Sequence, residues 1–212
     1  MQTKTTDPVS KPTKLTKTEQ DFFKNNCRCA FGTDLEETQK KEDVAATIYC
    51  EEGEIKIWVN PDINAVDPNA PNNRIPFEKS VQAIHDKCIT EHEKYHIEQM
   101  NFLCPGICKD VKGRRCLQMK DSTPVEGRLS CRNFSECWGN YVHLQCILTA
   151  YNDAKNKPGF TPTEKSQIAQ LIAYEILNLK LYGCGDSGIV IPPELDPRPY
   201  LDPRLFPTIP TK

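Results

Sequence analysis

Several features typical of membrane, secretory and nucleic-acid-binding chains are missing from this sequence. No stretch reaches the roughly 20 consecutive apolar residues that cross a bilayer. The start, Met1 to Thr18, is rich in Lys and Thr and has no apolar core of a signal peptide. The net charge is only -2, with 27 basic and 29 acidic residues interspersed. We therefore expect no membrane span, no ordinary signal peptide in this chain and no nucleic-acid partner, which would require a broad basic surface.

Cysteine, by contrast, is abundant. Eleven cysteines in 212 residues indicate an oxidising compartment, so we expect a secreted or periplasmic protein. Because no ordinary signal precedes them, the chain is expected to be a fragment of a longer exported protein or to use a route without a cleavable signal. The alternative is a cytosolic protein in which most cysteines are small buried hydrophobes. The odd count leaves at least one thiol unpaired if the others form bridges.

The order of segments predicts one domain between two irregular ends. Residues 1–17 are polar and predict a disordered lead, residues 18–190 the domain, and residues 191–212 a proline-rich extended tail. The expected elements of the domain are a helix at 18–24 capped by Thr18, a β-hairpin at 45–60, a loop at 62–74, a long helix at 76–102, an irregular, cross-linked connection at 104–124, and helices at 135–154 and 161–182.

These elements predict an α+β fold, with a small, mostly antiparallel sheet packed on the long helix and further C-terminal helices. Ser135 is expected to cap the 135–154 helix and to place Glu136 in its first turn. Thr161, Pro162 and Glu164 form a capping box with a first-turn proline at the start of the last helix. An extended substrate is expected to lie along an edge of the sheet.

The sequence His92-Glu93-Lys94-Tyr95-His96 fits the pattern H-E-x-x-H late in the long predicted helix. Two histidines four residues apart project from one face of a helix, so both imidazoles can bind a single Zn²⁺. Glu93 lies beside the metal, where it can act as the general base for a zinc-activated water. The motif predicts a catalytic role for Glu93, and the alternative is two surface histidines with an unrelated acid between them.

A catalytic zinc ion usually has three protein ligands, so a third must come from elsewhere in the chain. His85 lies two turns before His92, which is too far along the helix for one ion, and is expected to be a core or supporting histidine. Glu126, in a loop, and Glu136 are the candidate acids. We prefer Glu136, although a favourable interaction with the helix dipole would also explain its position. His143 could be a ligand, a donor to the oxyanion of the reaction, or a core histidine.

These residues resemble the zincin superfamily of metallopeptidases, in particular the gluzincin arrangement, in which a glutamate from a later helix completes the site. The resemblance implies His92, His96 and Glu136 as zinc ligands, and cleavage of peptide bonds. In thermolysin-like members an aspartate follows the ligand glutamate by four residues, where this chain has Asn140. The metzincin extension, a glycine and a third histidine, does not follow His96.

The run Glu-His-Glu-x-x-His-x-x-Gln, the later Glu-Cys-x-x-x-Tyr and the many cysteines are also similar to metallopeptidase toxin domains of bacterial polymorphic toxins and type VI secretion effectors, over residues 40–155. This likeness implies a protein or peptide substrate and an immunity or inhibitor protein as a possible partner. Two alternatives stay open. One is a binding protein with a zincin-like scaffold or a structural Cys/His zinc that lacks turnover, and the other is a zinc amidase that acts on cell-wall peptides.

Overall fold

The computed structural model describes residues 14–41, 44–67, 70–123, 129–184 and 190–201. Within these residues the fold is α+β, with a small antiparallel sheet and several helices, as expected from the sequence. The helices are α1 Lys17–Asn26, α2 Leu35–Thr38, α3 Lys79–Leu103, α4 Cys131–Ala154 and α5 Pro162–Leu181. The strands are β1 Cys27–Asp34, β2 Ala46–Glu51, β3 Glu54–Val59, β4 Asn64–Asp67, β5 Ala70–Pro76 and β6 Arg115–Asp121.

The main sheet has the strand order β1-β6-β2-β3, and all its described pairs are antiparallel. The predicted hairpin is confirmed, since β2 and β3 pair from Ala46–Val59 to Glu51–Glu54. Glu52 and Gly53 form its two-residue turn with φ values of 54° and 83°. A two-residue hairpin with positive φ at both turn residues matches the right-handed twist of its strands.

Four strands, in three segments of the chain, were not expected from the sequence. The predicted loop at 62–74 contains β4 and β5, which form a separate two-stranded sheet. The connection at 104–124, expected to be irregular, contains β6 in the middle of the main sheet. β1, which follows directly on α1, pairs with β6. All three segments are short, and their pairing partners are not evident from their own residue pattern.

Ten of the eleven cysteines form disulfides, as the cysteine content predicted. Their sequence separations run from 47 to 104 residues. Bridges that close loops of this size each contribute about 4 kcal/mol in the chain-entropy model. Five bridges are consistent with an oxidising, extracellular compartment. The pairs are Cys27–Cys131, Cys29–Cys104, Cys50–Cys108, Cys88–Cys146 and Cys137–Cys184, and Cys116 is a free, buried thiol.

Three helix starts differ from the sequence-based prediction, and one of them is that of α3, which begins at Lys79 rather than at residue 76. α1 is capped by Thr16 rather than Thr18, and Glu19 completes a capping box with Thr16. α4 begins at Cys131 with Ser130 as its cap, so Ser135 lies inside the helix. Glu136 is therefore more than one turn from the N-terminus of α4, where the helix dipole has little effect. The start of α5 is confirmed, with Thr161 as cap, Pro162 in the first turn and Glu164 completing the box.

The C-terminal part of the described chain packs on the domain. Leu195 is buried among residues of α4 and α5, and the hydroxyl groups of Tyr200 and Ser166 lie 2.6 Å apart. Most of the predicted disordered lead and residues 202–212 of the predicted tail lie outside the described residues. No helix in the described part of the chain is long and apolar enough to cross a membrane.

Candidate metal centre

Helix α3 brings the two motif histidines together. His92 and His96 are one turn apart on the face that packs against α4, and both are buried. Their Nε2 atoms lie 2.8 Å from each other, and their ring centroids are 4.6 Å apart. The two imidazoles therefore converge on one point, as the H-E-x-x-H spacing predicted.

Helix α4 supplies a carboxylate at the same point. Glu136 Oε2 lies 3.6 Å from His92 Nε2 and 3.7 Å from His96 Nε2. In a tetrahedral site with bonds of about 2.0–2.1 Å, neighbouring ligand atoms are about 3.3 Å apart. The nitrogens would thus have to separate by about 0.5 Å and the carboxylate to approach by about 0.3 Å. Within the described residues, His92, His96 and Glu136 form a cluster that could hold a metal ion.

The charges of the cluster suit a cation. Burial alone would raise the pKa of the Glu136 carboxyl, but the imidazoles of His92 and His96, at 3.6 Å and 3.7 Å, lower the pKa well below its usual range. Burial likewise opposes protonation of His96, yet the nearby carboxylate of Glu136 raises the pKa of this ring to about 9. In the metal-free protein a proton on the His96 ring thus supplies positive charge that a bound metal would replace.

Two polar side chains orient His96. Gln99 Oε1 is 2.9 Å from His96 Nδ1, and Ser135 Oγ is 3.0 Å from the same nitrogen. Ser135 Oγ also donates to Gln99 Oε1 at 2.5 Å. A proton held on Nδ1 by these acceptors leaves Nε2 as the ligand atom, which is the usual supporting arrangement at a metal-binding histidine. For His92, no hydrogen-bond partner of Nδ1 is found among the described residues.

A glycine on α4 makes room for the His92 ring. A Cβ atom at Gly139 would lie 2.7 Å from His92 Nε2 and 2.8 Å from His92 Cε1. Real Cβ atoms essentially never approach other heavy atoms closer than 3.0 Å. The imidazole can therefore pack directly on the backbone of α4 only because residue 139 has no side chain.

Glu93 lies beside the cluster without belonging to it. Its side chain is buried and lines the same cavity as His92, His96 and Glu136. Burial raises the pKa of the Glu93 carboxyl, while attraction to His96 and His92 opposes the shift. A carboxylate that is poorly solvated and close to the centre has the properties of a general base.

His143 is not part of the cluster, but it lies next to it and lines the cavity. Its ring centroid is 6.0 Å from that of His92. Its Nδ1 lies 3.0 Å from Glu175 Oε1, and both side chains are almost fully buried. In the part of the chain that the structure describes, neither ring nitrogen of His143 makes a hydrogen bond, so the contact between Nδ1 and Glu175 is a close approach without hydrogen-bond geometry.

Glu175 was not predicted from the sequence, although the sequence carries a signal for it. It follows Ile168 by seven residues and Ile172 by three, so it occupies a position of the apolar face of α5. An acid at such a position is buried only if it is paired. Ser135 was likewise expected to be a cap, whereas it contacts His96.

Three other residues were singled out from the sequence, namely His85, Asn140 and Glu126. His85 is buried, stacks on Phe77 with ring centroids 6.0 Å apart, and is not part of the cluster, as expected from its distance along the helix. Asn140 donates from Nδ2 to the main-chain oxygen of Glu136 at 2.8 Å. Glu126, the other candidate acid, lies outside the described residues.

The cluster opens into a cavity of about 470 Å³, a size typical of ligand sites. α3, α4 and α5 form one side of it and the main sheet the other. Comparisons of the chain with family models, with curated proteins and with solved structures give no match. The chemistry of the site is therefore argued from its residues and their geometry alone.

Proposed function

We propose that this protein is a zinc-dependent peptidase of the zincin type, with His92, His96 and Glu136 as metal ligands and Glu93 as general base. The convergence of three ligand atoms from two helices, within 4.8 Å of one another, carries the proposal. Two imidazoles, one carboxylate and an adjoining cavity match the donor set of catalytic zinc sites, which keep one position open. Such an ion would polarise the carbonyl of the substrate and acidify a water molecule.

The residues of the chain have separate roles in this reaction. Glu93 takes the proton of the attacking water and passes it to the leaving amine. Gln99 and Ser135 hold the ring of His96 in place. His143 faces the reaction as an oxyanion donor. The carboxylate of Glu175, whose Oε1 lies 3.0 Å from His143 Nδ1, holds the ring in this orientation.

The alternatives differ in how well the contacts support them. A structural Cys/His zinc is disfavoured, because ten cysteines are disulfide-bonded and the eleventh, Cys116, is a single buried thiol. A scaffold without turnover would not need a buried Glu93 beside the cluster. A zinc amidase for cell-wall peptides would use the same residues, so the amidase and the peptidase differ only in substrate.

The proposal also includes secretion, a role as a toxin or effector, and an immunity protein as partner.

The decisive experiment compares Glu93→Gln with Glu91→Gln, which alters a half-exposed acid on the same helix. Zinc-loaded wild type and Glu91→Gln should cleave a mixed peptide pool and lose this activity on chelation. Glu93→Gln should keep its zinc and cleave about 10²–10⁴-fold more slowly. Equal rates for the two variants, or no cleavage by zinc-loaded wild type of either general or cell-wall peptides, would refute the proposed reaction.

The third ligand can be assigned separately. Glu136→Gln should lose most of the bound zinc, because one of the three protein ligands no longer carries a charge. Glu126→Gln is the matched control and should retain the metal. The reverse result would assign the ligand to Glu126.

A further inference from the structure

We propose that the substrate binds as an inserted β-strand in the gap between β2 and β6, so that main-chain groups of both strands hold it beside the metal ligands. This inference deepens the proposed function and rests on it. The sequence alone predicts a substrate along an edge of the sheet. β2 and β6, however, are the two inner strands of the order β1-β6-β2-β3.

The first observation is that β2 and β6 separate after a short contact. Among the described residues, they pair only at Tyr49–Cys116 and Cys50–Arg115. A continued antiparallel ladder would add the pairs Ile48–Leu117, Thr47–Gln118 and Ala46–Met119. None of these pairs is formed, although all six residues belong to the two strands.

The second observation concerns the residues that line the cavity. Successive residues of a strand point to opposite faces of a sheet, so a cavity on one face contacts alternate residues. Here consecutive residues contribute, namely Ala46, Thr47 and Ile48 of β2 and Cys116, Leu117, Gln118 and Met119 of β6. The cavity therefore extends into the plane of the sheet, between the two strands.

The outer sides of both strands are already paired. Ala46 to Ile48 pair with Val59 to Ile57 of β3, and Leu117 to Met119 pair with Phe31 to Cys29 of β1. Alternate main-chain groups of β2 and β6 point away from these partners, towards the gap. Two rows of donors and acceptors thus face each other, which is the arrangement that an added strand recognises.

The third observation is continuity with the metal centre. The cavity that reaches into the gap is also lined by His92, Glu93, His96 and Glu136. A peptide strand paired on both sides would have a fixed direction and register, so one of its peptide bonds would be held at the ligands. The recognised chemistry is an extended peptide main chain, and its side chains would point alternately to the two faces of the sheet.

The test uses the zinc-loaded Glu93→Gln protein and short peptide hydroxamates, with the hydroxamate at the C-terminus in one series and at the N-terminus in the other. Acetohydroxamic acid is the matched probe, because it can bind the metal but has no peptide main chain.

Exchange of individual backbone amides is followed by NMR. A peptide hydroxamate from one series should slow exchange by at least about tenfold for amides in both 46–48 and 117–119, and acetohydroxamic acid should not. N-methylation of alternate peptide nitrogens should weaken binding about tenfold for each bond lost.

Three results would overturn the inserted strand. The first is that the peptide protects amides on the free sides of β1 or β3 and not those of the gap. The second is that N-methylation of the peptide leaves its affinity unchanged. The third is that the amides of the gap already exchange slowly before any peptide is added. Failure of the proposed function gives a different result. If the protein binds no zinc while plain peptides still protect both segments, the hydrolase is refuted and the peptide site stands. If no peptide protects the gap in a protein that does bind zinc, only the peptide site is refuted.

Discussion

Substitution of Gly139 by alanine separates a structural from a functional role for the contact between α4 and His92. The added Cβ would lie 2.7 Å from His92 Nε2, where ordinary contacts begin at 3.4 Å. The ring or the helix must therefore shift by about 0.7 Å, whereas metal sites tolerate changes of about 0.2 Å in ligand distance. We expect zinc affinity to fall by about 10–100-fold, the range seen when a group that supports a ligand is lost.

The same substitution should not weaken the metal-free protein. Alanine is favoured over glycine inside a helix by about 0.8–1.0 kcal/mol, and a ring that holds no metal can rotate away from the new methyl group. Zinc affinity is measured by competition with a chelator, and thermal unfolding is followed without metal. Thr149→Ala, an exposed position on the same helix, is the control and should leave zinc affinity unchanged. Wild-type zinc affinity in Gly139→Ala would refute the assigned position of the His92 ring.

Three further predictions follow from the contacts. Unfolded without reductant, the protein should present one reactive thiol, that of Cys116, and three or more would contradict the five bridges. Although burial opposes its protonation, His96 has its pKa raised to about 9 by Glu136, so zinc must displace a proton below that pH. The apparent affinity of the protein for zinc should then fall about tenfold for each pH unit between pH 8 and 6. An affinity that does not change with pH would contradict the assignment of His96 as a ligand. Gln99→Leu should weaken zinc binding about 10–100-fold, whereas unchanged affinity would show that Gln99 does not orient His96.

The sequence allowed the centre of the site to be predicted because its geometry is local. Two histidines four residues apart on one helix must share a face, and only the helix had to be recognised. Glu136 was preferred as third ligand on its place in a later helix, and it does lie at the two imidazoles. The predicted start of that helix at Ser135 was wrong, because Ser130, five residues earlier, is an equally suitable cap and is the one used.

The parts that the sequence did not reveal depend on distant partners. β6 pairs with β1, about 90 positions earlier in the chain, and its own residues show too short an alternation to indicate a strand. The proximity of Glu175 to His143 requires α5 to pack on α4. The gap between β2 and β6 depends on where two strands separate, which no local pattern specifies. These are the features that form the cavity around the predicted ligands.

The central claim is most directly tested by the metal content of the purified protein and its ligand variants, measured together with the X-ray absorption spectrum of the bound metal. The account predicts one zinc per chain, with two imidazole nitrogens and a carboxylate oxygen at about 2.0–2.2 Å. The metal should be lost in His92→Ala and His96→Ala and retained in Glu93→Gln. A wild-type protein that binds no zinc, or zinc that persists after both histidines are replaced, would contradict it.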